Sequence, residues 1–414
     1  MPDSIDHRLK LLSVDSVRAA TLLVAHPGPH ASRDLAAALW EASPSQAVAT
    51  LDILTVARVL TEVKPDQYAL PSPVRAALLH RITEAEQAQT VDRAARFYRM
   101  RVAAADQVLN VWRWRVDEEG VREAAQAQRD EARTWFSDQA AAMAWLDEEI
   151  DTIVAVVRGL DNDRRAETWC IAEHIATYIN HRKPWQVAAE LYRYGLNAAL
   201  ACDDEVASAL MHQRCAVITN DLAERRAHLD AALDAFRNAG HPEGVCSAEQ
   251  ALADHLSQTG ERAVAEELYT ASLAGHLVLG RTRGAAITQR KRGELRALLG
   301  RSMAAAVDFT AAHRILLDLE VPDTYQATRA VQGLLRLLTL SALEPFAVQL
   351  LEMLAHQTLH QARRDGAIHE QSGLLNYLAV LAGMRGDDER ARALRERSWE
   401  LMAPTGHPGS SDRP

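Results

Sequence analysis

The chain has 414 residues, more than one hydrophobic core usually holds, which predicts two or three structural units. Its formal net charge is −10, so a surface that coats nucleic acid or an anionic membrane is disfavoured. Aromatic residues make up only 5% of the chain, and alanine and leucine dominate the hydrophobic residues, which favours helices over sheets. We therefore expect a large helical protein.

No segment has the features of an export signal or a membrane span. The first residues lack a basic start followed by an apolar core, and no apolar run approaches the roughly 20 residues that cross a bilayer. The four cysteines are scattered, which predicts reduced thiols rather than a disulfide framework. These features predict a cytoplasmic protein that does not contact membranes.

Residues 1–85 are predicted to form a compact unit. A capping residue precedes each of three helices, at Ser13 or Asp15 for the first, at Ser32 for the second and at Ser43 for the third. Alternating residues on both sides of a proline-containing turn at 64–67 predict a β-hairpin, and a further helix follows it. Three helices and a hairpin predict a winged helix.

The order of several motifs resembles one known family. These motifs run from the first unit through residue 158 and are HPGP, LAAALW, LDILTVARVLTEVKPDQYALPSPVRAALL, LNVWRWR and AWLDEEIDTIVAVVR. In this order they are similar to the signal-transduction ATPases with numerous domains, and more closely to actinobacterial regulators of the antibiotic-regulatory-protein kind. The resemblance implies a winged helix followed by tetratricopeptide repeats, behind a switch ATPase that this chain lacks.

The sequence contains no nucleotide site. A phosphate-binding loop needs glycines followed by a lysine, and no Gly-Lys pair occurs in the chain. The resemblance also implies a nucleotide-contacting histidine just after the wing, where this chain has Pro71. No serine-hydrolase elbow or zinc-protease motif occurs either. We expect no cofactor and no enzyme activity.

Residues 86–200 are predicted to be a helical junction that includes the first helical hairpins. Trp112 and Trp114 alternate with arginines, and they either stack on a partner's groups or bury as an anchor of the junction. Cys170 and His174 lie one helical turn apart. A metal site needs three or four convergent ligands, so we expect a core cysteine beside a partly exposed histidine, and no bound metal.

Residues 201–403 resemble tetratricopeptide repeats. Gly244 and Gly284 open two hairpins and Gly260 and Gly300 follow at their turns, each pair 40 positions apart. The family period is about 34 residues, so longer helices or linkers are needed here. Stacked hairpins predict a right-handed α-superhelix, and the fold class is all-α. Proline is expected to be tolerated at Gly300 far better than inside the following helix.

Two features at the end of the repeats lead to separate structural predictions. Pro345 falls inside an expected helix, which should therefore start late or kink. Residues 404–414 are rich in Pro, Gly, Ser and Thr, and are predicted to be a disordered tail.

The first helix of each repeat is expected to present polar residues to a partner along a concave groove. These candidate contacts are one or two helical turns apart on successive helices, where a peptide's backbone and side chains would meet them, and they are Arg214, Gln250, Asp254, Ser257, Arg290, Glu294 and Asn376. The sequence therefore predicts a regulatory or scaffold protein that binds a protein or peptide.

Two alternatives stay open, as does the oligomeric state. One is a transcription regulator whose winged helix binds DNA, which would depend on Arg33 and Arg58 because the recognition helix has no other basic residue. The other is an accessory protein that presents a substrate peptide in a biosynthetic pathway.

Overall fold

The computed structural model describes residues 5–160, 165–340 and 345–402. It is an all-α helical-repeat protein, and within these residues the strands are confined to one small sheet. Contacts divide the chain into two compact units, Met1–Ala239 and Gly240–Pro414. The finer predicted boundaries at residues 85, 200 and 403 stay predictions. No described helix combines the length and the apolar character that a membrane span requires.

The first unit begins with five short helices and three strands. The helices are α1 (Ile5–Lys10), α2 (Val14–Ala25), α3 (Arg33–Trp40), α4 (Pro44–Val56) and α5 (Ser72–Leu79). The strands are β1 (Ala31–Ser32), β2 (Thr61–Lys64) and β3 (Gln67–Ala69), antiparallel in the order β1-β3-β2.

Local signals in this part of the sequence were sufficient to predict most of its helices and strands. The side chains of Ser13, Ser32 and Ser43 each accept a hydrogen bond from the first turn of their helix, as expected of N-caps. The hairpin forms at the predicted turn, with Asp66 in a left-handed conformation. Strand β1 was not predicted, because two residues carry no recognisable alternation.

The rest of the first unit is helical. Its elements are α6 (Glu84–Leu109), α7 (Glu118–Asp130), α8 (Gln139–Gly159), α9 (Arg165–His174), α10 (Ala176–Arg182), α11 (Trp185–Ala201), α12 (Glu205–Ile218) and α13 (Leu222–Asn238). Helix α6 has 26 residues and packs against α8 and α9, with Ala94, Tyr98 and Ala105 fully buried. Helices α9 and α10 are separated by a break at Ile175.

The second unit is a row of helical hairpins. Its elements are α14 (Pro242–Thr259), α15 (Arg262–Val278), α16 (Thr282–Leu298), α17 (Ser302–Leu317), α18 (Thr324–Leu340), α19 (Pro345–Arg364), α20 (Ile368–Met384) and α21 (Asp388–Met402). Helices of 16 to 18 residues in the first two hairpins account for the period of 40, as the sequence required. Helix α19 begins at Pro345, in agreement with the predicted late start. The predicted tail lies outside the described residues.

Glycines occupy the predicted turns with left-handed backbones. Gly260 has φ of 100° and Gly300 has φ of 73°. These angles explain the choice of glycine, and they correct one expectation, since proline is restricted to φ near −65° and does not fit at Gly300. Small residues hold the hairpins together, with Ala265 and Ala305 fully buried. A Cβ at Gly333 would lie 2.4 Å from the ring of Phe309, so glycine there permits close packing of α18 on α17.

Candidate functional site

Four polar contacts join the first helices of successive hairpins in the second unit. We name the eight residues involved the polar ladder: Gln250, Asp254, Thr288, Arg290, Lys291, Glu294, Gln326 and Arg329. From α14 to α16, Thr288 Oγ1 donates to Gln250 Oε1 over 2.8 Å and Lys291 pairs with Asp254. From α16 to α18, Arg290 Nε donates to Gln326 Oε1 over 3.1 Å, and Glu294 lies 3.5 Å from Arg329. The two candidate-bearing helices α14 and α16 are thus linked to each other and to α18.

Asp254 is held from two directions. Besides Lys291, it receives a hydrogen bond of 2.5 Å from the hydroxyl of Tyr269 on α15. Burial raises the pKa of Tyr269 strongly, and the charge of Asp254 adds to that effect. The hydroxyl therefore remains a donor, and Asp254 has a defined orientation while part of its side chain stays exposed.

Arg290 differs from the sequence expectation of an accessible contact. It is only 2% exposed, and its guanidinium pairs with Glu294 one turn along α16. Desolvation lowers the pKa of Arg290, and the charge of Glu294 acts against that effect. A buried, paired arginine fixes neighbouring helices, so its removal would affect the fold as well as any partner.

The other candidates of the second unit are more accessible. Gln250, Ser257 and Glu294 are partly exposed, and Asn376 on α20 is exposed. Exposure makes contact with a partner feasible, and their binding role stays a prediction. Arg214 belongs to α12 of the first unit, where it is partly exposed.

Sequence reasoning missed a buried carboxylate beside the ladder. Asp308 of α17 is 1% exposed and accepts hydrogen bonds from Arg292 and Arg296 of α16, at 2.8 and 2.9 Å. Arg296 also pairs with Glu266 of α15. The sequence signal that could have indicated it is an aspartate in the otherwise apolar first half of α17. A charge at such a position must find a buried partner.

The tryptophan–arginine segment of the first unit joins a buried charge network. Arg113 Nη1 and Arg115 Nε donate to Asp106 over 2.8 and 2.7 Å, and Arg113 Nη2 donates to Glu173 over 3.3 Å. Both carboxylates have fully buried side chains. Trp114 packs edge-on against Phe236 with ring centroids 6.1 Å apart. These contacts favour the junction-anchor interpretation over a free stacking surface.

His174 corrects the expectation of a partly exposed histidine. It is 2% exposed, and its Nε2 lies 3.1 Å from Asp117 Oδ2. Burial lowers the pKa of His174, but the nearby carboxylates of Asp106 and Asp117 outweigh burial, and the net pKa is raised. In the described part of the chain, no group of three or more His, Cys, Asp or Glu side chains is arranged to hold a metal ion.

Of the two arginines that a DNA interface would need, Arg33 has another side-chain contact, whereas the contact of Arg58 involves only its backbone. Arg33 forms an ion pair with Asp66 at the hairpin turn. Arg58 has a left-handed backbone with φ of 54°, and its carbonyl accepts a hydrogen bond of 2.7 Å from Arg8. Helix α4 itself contains Asp52 and no basic residue.

Comparisons with known proteins give distant structural likenesses only. No family model matches the sequence, and no curated protein matches it. The crystal structure of BtubC (BKLC) from P. vanneervenii is similar over 56% of this chain and 96% of that chain, with 16% identity and a TM-score of 0.47. A Signal Transduction ATPase with Numerous Domains (STAND) protein with a tetratricopeptide repeat sensor, from Pyrococcus horikoshii, is similar over 96% of this chain, with 11% identity and a TM-score of 0.44. The chain spans 65% of the length of that STAND protein, and at these values both likenesses are distant.

Proposed function

We propose that the helical repeats of the second unit bind a protein or peptide partner along the polar ladder. The observation that carries this proposal is the continuity of the ladder, whose contacts connect α14 to α16 and α16 to α18 on one side of the stack. A stack of hairpins presents an extended surface, and polar groups at helical-turn spacing suit the backbone and side chains of an extended segment.

The ladder's partly exposed pairs suit exchange with a partner. The side chains of Asp254 and Glu294 are 30% and 35% exposed while paired with the partly exposed Lys291 and Arg329. An exposed ion pair is worth little, about 0–1 kcal/mol, so exchanging one of its bonds for a bond to a partner costs little. The pairing also holds each side chain in place, which reduces the entropy lost on binding.

We propose a regulatory or scaffold role without enzyme activity. The most deeply buried carboxylates, Asp106, Glu173 and Asp308, are each occupied by two or more donors. Groups so occupied hold helices together and are poorly placed to take up or release a proton. The free cysteines suit a reducing compartment, and we place the protein in the cytoplasm.

We further propose that residues 5–79 form a winged helix that packs against protein rather than reading DNA, as in a STAND-like regulator. The ion pair of Arg33 with Asp66 and the lack of basic residues in α4 support this choice. A salt-dependent mobility shift with random-sequence duplex DNA tests it, and tight, salt-sensitive binding at physiological salt would count against it.

The groove is tested by blocking it sterically. Ser257→Trp adds bulk at a partly exposed candidate on α14, and Arg314→Trp adds the same bulk at an exposed position on α17. The three baits, wild type and both variants, are used for affinity purification from the native cell with quantitative mass spectrometry. We expect a set of proteins captured by the wild type and Arg314→Trp but lost with Ser257→Trp. Equal capture by all three baits would reject the groove as the binding surface.

A further inference from the structure

A cleft of about 400 Å³ opens in the first unit between α12 and α13, beside the end of α11. Three acidic residues border it: Asp203 in the turn before α12, Glu205 in the first turn of α12, and Asp234 on α13. All three are exposed, and none of their side chains forms an ion pair or a hydrogen bond with a residue that the structure describes. We name this cleft, with Asp203, Glu205, Asp234 and Ser208 at its border, the acidic cleft.

No positive charge offsets these carboxylates at the cleft itself. Among the described residues that border it, none is a lysine or an arginine, and the one histidine is His212. Burial lowers the pKa of His212, and the neighbouring His228, whose Nδ1 lies 2.8 Å from Nδ1 of His212, lowers it further. The ring of His212 is therefore neutral at pH 7, and the cleft presents a net negative charge.

Ser208 on α12 adds a polar group in the wall of the acidic cleft. It is only 7% exposed, yet its hydroxyl forms no hydrogen bond with a residue that the structure describes. Buried hydroxyls are normally paired, and a serine within a helix can pair with the carbonyl one turn earlier. Because Ser208 does not, its hydroxyl is available to accept a hydrogen bond from a donor that enters the cleft.

The acidic cleft suits an organic cation better than a metal ion. In the ranges that the structure describes, no three His, Cys, Asp or Glu side chains are grouped to hold a metal ion, so the three carboxylates do not converge on one point. The volume of the cleft lies within the roughly 300–1,000 Å³ that is typical of sites for organic ligands. Leu200, which is 53% exposed, and Ala235 give the cleft an apolar wall against which an aliphatic stem can pack.

We propose that the acidic cleft binds the side chain of an arginine in a basic segment of a partner protein. A guanidinium has five N–H donors in a planar fork, so it can serve separate carboxylates and the hydroxyl of Ser208 at the same time. Its aliphatic stem packs against Leu200. The net charge of −10 attracts basic segments from a distance, and the cleft supplies the local site. This inference concerns the first unit and does not depend on the polar ladder.

The test uses the full chain and a fluorescein-labelled hexapeptide with two central arginines and uncharged flanking residues, followed by fluorescence anisotropy at low ionic strength. We expect saturable binding to the wild type and about fivefold to tenfold weaker binding to Asp234→Asn. The matched control is Asp52→Asn, which removes the same charge from an exposed position on α4 and should leave the affinity within about twofold. No binding to the wild type, or equal losses in both variants, would overturn the proposal.

The melting temperature separates a binding role from a structural one. Neither Asp234 nor Ser208 has a side-chain partner in the described part of the chain, so Asp234→Asn and Ser208→Ala should melt at or above the temperature of the wild type. Ser208→Ala should still bind the arginine peptide about twofold to fivefold more weakly, because one acceptor is lost. A fall of several degrees in either variant, or unchanged affinity in both, would overturn the proposal.

Two competitors identify the cation. A peptide with lysines in place of the two arginines should bind more weakly, since an ammonium has three donors rather than five, and tighter binding of this peptide would overturn the assignment to a guanidinium. Spermine should displace the arginine peptide only at concentrations well above those of the peptide. Displacement by less spermine than peptide would assign the cleft to a polyamine and overturn the partner segment. Failure of the Ser257→Trp experiment would leave these results unchanged.

Discussion

The junction network of the first unit and the polar ladder of the second use the same residue types for different ends. In the network, Asp106 and Glu173 have fully buried side chains that several donors occupy. In the ladder, Asp254 and Glu294 are paired but remain about one third exposed. Burial sets the difference, since a buried charge that loses its partner is costly whereas an exposed pair can exchange partners. Charge pairing alone therefore does not distinguish a structural cluster from a binding surface.

The largest expected effect tests this contrast directly. Asp106→Ala removes the carboxylate acceptor of Arg115 and one of the two carboxylate acceptors of Arg113, and should lower the free energy of unfolding by about 3–5 kcal/mol. Asp254→Ala in the ladder should cost only about 1–2 kcal/mol, because Lys291 is partly exposed and keeps contact with water. Urea denaturation followed by circular dichroism measures both. Equal costs would mean that the two clusters do not differ in kind.

The next effect concerns the packing that aligns the ladder helices. Gly333→Ala places a Cβ 2.4 Å from the ring of Phe309 and should cost about 1–3 kcal/mol. The control is Gly383→Ala on α20, where a Cβ meets nothing within 4 Å and should stabilise the helix by up to about 1 kcal/mol. Thermal unfolding of both variants shows whether each change raises or lowers the stability. Stabilisation by both changes would show that α17 and α18 are not closely packed.

A buried histidine in each unit is expected to make the stability of the fold depend on pH, with opposite signs in the two units. Burial lowers the pKa of His313 to about 4, below its value of about 6.5 in the unfolded chain, so its neutral form stabilises the fold above pH 6.5. That contribution is lost as the pH falls towards 4, by about 1–2 kcal/mol between pH 6.5 and 5. The neutral ring can donate from Nε2 to Thr358 Oγ1 over 2.7 Å, since that hydroxyl donates to the carbonyl of Leu354. His313→Gln should flatten this acid limb of the stability curve.

His174 should act in the other direction. Its pKa is raised in the fold, so the bound proton stabilises the first unit below the unfolded pKa, and this contribution is lost as the pH rises through the folded pKa. In His174→Gln, the decline of stability on the alkaline side of pH 6.5 should be weaker than in the wild type. Urea denaturation between pH 5 and pH 9 is the measurement. If the free energy of unfolding falls with pH equally steeply in the variant and the wild type, His174 does not carry the proposed charge.

The smallest effect is expected at the surface of the stack. Asn376 is exposed on α20, and Asn376→Ala should change the free energy of unfolding by less than about 0.5 kcal/mol. The same change at Arg290 should cost at least about 2 kcal/mol, because the buried guanidinium holds Glu294 and Gln326. Similar small costs at both positions would place Arg290 on the open surface after all.

The amino-acid sequence by itself determined the helical class, the caps at Ser13 and Ser43, the hairpin turn at Asp66 and the glycine turns at Gly260 and Gly300. Each of these depends on a few adjacent residues, whose local hydrogen bonds and backbone angles are set without the rest of the chain. The sequence also indicated which helices carry polar residues, although it did not indicate their surroundings.

Only the tertiary structure decided which of those polar residues are open to a partner. Arg290 and Asn376 were equivalent by spacing, yet one is buried and paired and the other exposed. Arg214 was another member of the same pattern, yet it lies on α12 of the first unit with its Nε buried and without a hydrogen-bond partner among the described residues. Burial and pairing depend on residues 40 to 100 positions away, such as Glu173 for Arg113, and spacing along one helix carries no information about such distant contacts.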